Sequence, residues 1–363
     1  MSDSSKGLED KPIVFLSSSP HIGSPVNARM MMSMVLFALV PVSVFGILLY
    51  GLSALYAMLV SIAAAEIAEA LFRKITGQDI RYRDCSAAVT GLLLALVLPP
   101  GVPLWMIALG SLFAIVVAKE FFGGLGANVF NPALIGRAFL VMSFPVALTS
   151  WAAPRAFFSV SGIGAVDALS GATPLDLIKT GSTVADVGAG LFASGLAGGS
   201  GYWSTITSLF LGFRQGCIGE SSILLILLGF IFLLATRTID WRSPVTMVLS
   251  VFVFSFLLGR DPLFAVLNGG VFFGAVFMTT DYVTAPVTAK GKLIFGLGAG
   301  LITVLIRQWG NYPEGVAYSI LIMNAVTPFL NKLLQKKYGY VKPQKTAKAK
   351  SAKIDEPVNG RAK

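Results

Sequence analysis

MMSMVLFALVPVSVFGILLY, Met31–Tyr50, contains no charged residue. About 20 apolar residues in a row are enough for a helix to cross the ~30 Å hydrocarbon core of a bilayer. Further apolar runs lie at about 51–71, 86–99, 102–118, 129–149, 222–236, 244–259, 263–279, 292–307 and 315–331. Hydrophobic residues make up 55% of the 363 and charged residues 13%, with a mean hydropathy of +0.76. A soluble domain carries about 25% charge, so a soluble fold would lack the means to wet its surface. Barrel strands would be short and alternating, which these runs are not. The sequence therefore predicts an all-α polytopic membrane protein of about ten transmembrane helices. Several runs are short, FGGLGANVFNPALIGR at 122–137 interrupts one, and there are 38 glycines. Close helix packing or broken helices would account for these features.

Charge orients the chain. Arg73, Lys74, Arg81 and Arg83 follow the second run, and Arg237 and Arg242 follow the sixth. Lys290 and Lys292 meet the ninth, and Lys332, Lys336 and Lys337 follow the tenth. With ten spans these groups and both termini share one side, which the positive-inside rule makes cytoplasmic. Residues 1–30 then form a cytoplasmic lead without a cleavable signal pattern, and 31–149 a first transmembrane bundle. Residues 150–221 form an extracytoplasmic segment, partly membrane-associated, and 222–331 a second bundle. The basic 332–363 tail reads as disordered. This placement explains the net charge of +10 without nucleic acid as a partner. One histidine, His21, and two cysteines, Cys85 and Cys217, are too few for a zinc or iron–sulfur site within the chain.

An internal echo links D84CSAAVT90 with D240WRSPVT246, each opening an apolar run. Gly123-Gly124 and Gly269-Gly270 follow. A duplication would give a pseudo-symmetric bundle with a site between its halves.

DALSGATPLD, Asp167–Asp176, is a polar turn sequence between apolar runs. DALSGAT also resembles the attachment sequence of covalent flavoproteins, an aspartate, two variable residues and Ser-Gly-Ala-Thr. In those proteins a flavin transferase joins the FMN phosphate to the last threonine as a phosphoester. Thr173 matches that threonine, and Asp167, Ser170, Gly171 and Ala172 match the rest. SSPHI at 18–22, TGLLLALVLPP at 90–100, FGGLGANVFNPA at 122–133 and GAVFMTTDYVTAPVT at 274–288 resemble the D subunit of the Rnf electron-transport complex. The resemblance runs from about Ser18 to Leu334. The related B subunit of the sodium-pumping NADH:quinone reductase is the near alternative, and a non-redox broken-helix transporter the distant one.

The resemblance implies a subunit of a redox-driven ion pump of the bacterial inner membrane, not a complete enzyme alone. It implies covalent FMN on an extracytoplasmic Thr173, a noncovalent riboflavin as a second cofactor, and coupling of ferredoxin and NAD couples to Na+ or H+ transport. The chain has no GxGxxG fingerprint and no cluster-binding cysteine spacing, so NAD and iron–sulfur chemistry belong to partner subunits. Candidates for an ion route or second cofactor region are Glu66, Asn128, Asn131 and Asp281. Glu66 and Glu69 lie in an apolar run, where charge is expensive and invites either a route or a buried hydrogen bond. Glu69, near the run's end, is placed to snorkel, and Lys119-Glu120 to form an interface pair. FNPALIGR suggests a helix break at Pro132, with Asn128 and Asn131 before it able to satisfy the freed backbone groups, and Asp281 with TAPVT offers a similar irregular turn.

Overall fold

The computed structural model describes residues 27–79, 84–151, 173–179, 181–184, 186–188, 201–310 and 314–334, and among them all regular structure is helical. The first half holds α1 (Ala28–Tyr50), α2 (Leu52–Ile75), α3 (Ser86–Leu96), α4 (Leu104–Val116), α5 (Pro132–Ser143) and α6 (Pro145–Thr149). Then come α7 (Pro174–Lys179) and α8 (Tyr202–Leu211). The second half holds α9 (Ile223–Ala235), α10 (Arg242–Leu257), α11 (Pro262–Leu267), α12 (Val271–Phe273) with a π turn at Gly274–Met278, α13 (Ala289–Trp309) and α14 (Val316–Leu334).

Short polar side chains set the helix starts. Asn27 Oδ1 accepts from Met30 N–H at 2.8 Å ahead of α1, and Asp261 Oδ1 from Phe264 N–H at 3.0 Å ahead of α11. Asn131 Oδ1 accepts from Ala133 N–H at 3.0 Å, and Pro132 takes the first turn of α5, where its missing N–H costs nothing. The break at Pro132 is thus a helix start rather than a kink.

The expectation of about ten transmembrane helices is corrected. Among the described residues, four helical segments are long and apolar enough to cross a membrane: α1, α2, Leu104–Phe122 and α13. The helices α3, α5, α9 and α10 are apolar but only 11, 12, 13 and 16 residues long. At 1.5 Å per residue they reach about 16–24 Å, short of a ~30 Å core. The apolar runs are longer than the helices within them. Run 86–99 loses its helix after Leu96, and run 263–279 is divided between α11, the turn at Gly269-Gly270 and the π segment.

α2 packs against α3 and α4, and α10 against α13. Glycine permits two of these approaches. A Cβ on Gly91 would meet the Ser61 carbonyl at 2.8 Å, and one on Gly296 the Ser243 carbonyl at 2.5 Å. The main core joins both halves, with Leu39, Leu94, Leu96, Ile218, Phe273 and Phe295 among its buried members.

α13 has 21 residues, so its ends lie about 30 Å apart. Lys292 at one end is 3.1 Å from Asp240, which Arg242 also pairs, and Asn331 accepts from Val287 N–H nearby. Cavities lined by Asp281 link this end to Ser86 and Lys119, and so to Arg73. The basic groups around Arg73, Arg242, Lys292 and Lys332 thus share one end, here the Lys119 end. At the opposite end Lys179 of α7 donates to the Gly310 carbonyl just past Arg307. The echo holds only in part. Asp84 and Asp240 each accept from the N–H two residues on, but Gly124 packs on Arg73 and Glu120 while Gly269 and Gly270 pack on Arg307 and Glu220, at the other end.

Candidate functional site

Thr173 is buried and directly precedes α7, whose Leu177 N–H donates to the Thr173 carbonyl at 3.0 Å. Asp167, Ser170, Gly171 and Ala172 lie outside the described residues. Two residues past Thr173, Leu175, Ile178 and Lys179 form one wall of an open cavity of about 460 Å³. Arg260, Asp261, Phe264, Arg307 and Gln308 form the other. Arg307 directs its N–H groups to the carbonyls of Ala265 (2.6 Å), Asn268 (2.9 Å), Gly269 (3.1 Å) and Glu314 (3.1 Å). These are neutral oxygens, and among the described residues the guanidinium has no direct ion pair. Arg260 Nε donates to Gln308 Oε1 at 3.1 Å. Among the described lining residues, three cations against one carboxylate, Asp261, give the cavity a field that favours an anion.

At the Lys119 end, Asn128, Asn131 and Asp281 come together around one cavity with Ser86, Lys119 and Tyr282. Asn128 Nδ2 donates to the Phe130 carbonyl at 3.2 Å. Asp281 accepts from Val283 N–H at 3.3 Å and Thr284 Oγ1 at 3.0 Å, and burial still pushes its carboxyl up. Tyr282 donates to the Thr238 carbonyl at 2.8 Å, and burial with the Asp281 charge pushes its phenol up to about 12. This cavity measures about 60 Å³, and its neighbour beyond the Asp281 turn, lined by Asp240, Ser243 and Lys292, about 230 Å³. Small-molecule sites usually measure ~300–1,000 Å³, so neither admits a flavin ring as it stands. Glu66 does not line them. It is half-buried on α2 and makes no salt bridge among the described residues.

Two buried charge networks went unforeseen as networks. In the first, Lys119 Nζ lies 2.7 Å from Glu69 Oε2 and 2.6 Å from Ser86 Oγ. Arg73 lies 3.3 Å from both Glu69 and Glu120. Glu69 is buried and paired rather than snorkelling, and Lys119 and Glu120 have separate partners. In the second, Arg137 pairs with Glu314 and lies 3.7 Å from Glu220, while Arg214 donates to the Glu220 carbonyl at 2.6 Å and Asn268 Oδ1 at 3.1 Å. Charged residues inside apolar runs, Glu69 and Arg137, or directly after one, Lys119 and Glu120, were the available signal. Nothing local in the sequence marked Glu220 or Glu314.

A helical bundle with membrane-length apolar helices, ion pairs buried inside it and a cavity lined by charged side chains towards each end describes a class, the polytopic helical membrane proteins that keep charge within the bundle. Residues 15–339 match the model of the NQR2, RnfD, RnfE family, and the chain belongs to that family. It is 43% identical over 332 residues to the D subunit of the proton-translocating ferredoxin:NAD(+) oxidoreductase complex of Clostridium ljungdahlii, covering 90% of this chain and 96% of the relative. It is 40% identical over 337 residues to the D subunit of the Na(+)-translocating ferredoxin:NAD(+) oxidoreductase complex of Acetobacterium woodii, covering 92% and 98%. It is 38% identical over 327 residues to the D subunit of the ion-translocating oxidoreductase complex of Stutzerimonas stutzeri, covering 84% and 90%. At this level it is a bacterial multi-pass membrane subunit of an Rnf- or Nqr-type ion-translocating oxidoreductase complex.

Proposed function

We propose that this chain carries FMN, joined as a phosphoester to Thr173, for electron transfer between ferredoxin and NAD couples, and that it helps couple this transfer to Na+ or H+ movement. The reading rests on the sequence Asp167–Thr173 taken with the cavity that begins two residues later. A volume of about 460 Å³ lies within the ~300–1,000 Å³ range of small-molecule sites. Lys179, Arg260 and Arg307 would balance the cofactor's negative charge, and Leu175, Ile178 and Phe264 would pack on its apolar faces. Bound FMN supplies one- and two-electron redox chemistry. Arg307, held by four carbonyls, keeps a fixed positive charge at the cavity wall that favours any anionic occupant.

NAD and iron–sulfur chemistry fall to partner subunits, and maturation needs a flavin transferase. On this reading both termini face the cytoplasm and Thr173 the outside. Asp281, with Asn128 and Asn131 at its cavity, is the candidate ion entry at the cytoplasmic end, and Glu66 a second candidate on α2. The names of the relatives above include both proton- and Na+-translocating complexes, so the reading covers either ion.

The test is co-expression with the transferase followed by denaturing electrophoresis. The normal protein should fluoresce under ultraviolet light, and Thr173→Ala should be dark at equal membrane content. Mass spectrometry of the Asp167–Lys179 peptide should place an FMN-sized addition on Thr173. An addition on Ser170, or none, overturns the assignment.

A further inference from the structure

Asn324 sits near the middle of α14, fully buried, and neither atom of its carboxamide has a hydrogen-bond partner among the described residues. Pro328 stands four residues on in the same helix. Proline has no N–H, so the main-chain carbonyl of Asn324 loses its ordinary helical donor. One residue thus presents three open polar groups in a buried place, where a group left unpaired keeps its full desolvation penalty. Within a membrane, irregular backbone of this kind persists where it is enclosed by protein or lines water.

The facing element is irregular as well. Val316 and Ile320, two turns and one turn before Asn324 on the same face, pack on Gly274. Gly274 begins the π turn, a form that collects at functional positions. Asn324 continues this stripe one turn further along. It lies about 12 Å along the axis from Val316, beside the Arg137–Glu314 pair, and about 10 Å from Asn331, which binds Val287 at the wall of the Asp281 cavity.

The chemistry of the three groups selects the guest. A bare cation would meet two oxygens but also the hydrogens of Nδ2. A water accepts from Nδ2 and donates to Oδ1 and to the freed carbonyl, and three partners is the usual complement of a buried water. We infer that Asn324 and its released carbonyl bind ordered water halfway through the bundle, and that this water is a step of the cation route between the Arg137–Glu314 pair and the Asp281 cavity. The inference rests on the chain working within an ion pump.

Two measurements on the assembled complex test it. Cryo-electron microscopy at a resolution that shows waters should reveal density within hydrogen-bonding distance of the Asn324 amide. Asn324→Leu, which keeps the branched shape and removes the amide, should lower ion uptake per electron about ten-fold, the effect of losing one hydrogen-bonded step, with covalent flavin unchanged. Asn324→Ser, which leaves room for water, should retain most of the uptake. A dry site, an amide bonded directly to protein, or normal uptake per electron in the leucine variant overturns the inference. Should the leucine variant fail to assemble, the density in the normal complex decides alone. If the normal complex moves no ions with its electrons, it is the proposed function that fails, and hydration at Asn324 is still read separately.

Discussion

Lys119 Nζ lies 2.7 Å from Glu69 Oε2, fifty residues away in sequence, and both side chains are almost wholly buried. The pair continues through Arg73 to Glu120, so two cations meet two carboxylates in a closed set. Removing one member leaves a buried charge without its counterpart, which typically costs about 3–5 kcal/mol. Lys119→Met should therefore sharply lower the melting temperature and yield of the solubilised complex. Glu69→Leu together with Lys119→Met removes one charge of each sign and should recover most of the loss. A double variant no more stable than Lys119→Met would show that the pair is not the coupled unit described.

Gly270 has φ +69° with Glu220 packed against it, so a Cβ there would overlap the Glu220 carboxylate. Gly77 has the same φ of +69° and nothing within 4 Å of its would-be Cβ. Alanine at either site carries the left-handed cost of roughly 1–2 kcal/mol. Only Gly270→Ala must also displace Glu220 from Arg137. Thermal unfolding should rank Gly270→Ala well below Gly77→Ala. Equal losses would mean that Glu220 moves aside freely.

The sequence carried the helical membrane class and the break at Pro132, because composition and an Asn-Pro step are local signals. It did not carry the number of full-length spans. Hydropathy adds residues across the stop after Leu96 and across Gly269-Gly270, whereas the helix ends there. Nor did it carry the charge networks, since Arg137 finds Glu314 at a separation of 177 residues. Asn128, Asn131 and Asp281 were legible as breaks in apolar runs, and the structure gathers them at one cavity. Thr173 stood out only through resemblance, while Arg307, the central cation of the cavity near it, looks in sequence like an ordinary helix-end arginine.

Asp281 supplies a pH dependence. Burial raises its carboxyl against the opposing bonds from Thr284 and the Val283 N–H. The folded chain then binds this proton more readily than the unfolded chain, whose carboxyl titrates near ~3.9. Stability from this group is fully present at low pH and declines as pH rises through the raised value. Asp281→Asn has no proton to lose and should abolish that decline, melting higher than the normal protein at neutral and alkaline pH. Parallel melting curves across the pH range would show that Asp281 does not titrate in this window.

Sidedness offers the last test. Thr76 is exposed just past α2, beside Arg73, while Thr183 is exposed just past α7 at the Arg307 end. The two ends are separated by the length of α13, about 30 Å, which matches the hydrocarbon core. Cations gather in the loops and helix ends around Arg73, Arg242, Lys292 and Lys332, and the positive-inside rule makes that end cytoplasmic. In cells expressing the complex, an impermeant thiol reagent should label Thr183→Cys and leave Thr76→Cys unlabelled until the membrane is opened. Both carriers need Cys85 and Cys217 replaced by serine or alanine so that the signal belongs to the new thiol alone. Labelling of Thr76→Cys in intact cells, with Thr183→Cys protected, would invert the bundle and put the Thr173 cavity on the cytoplasmic face.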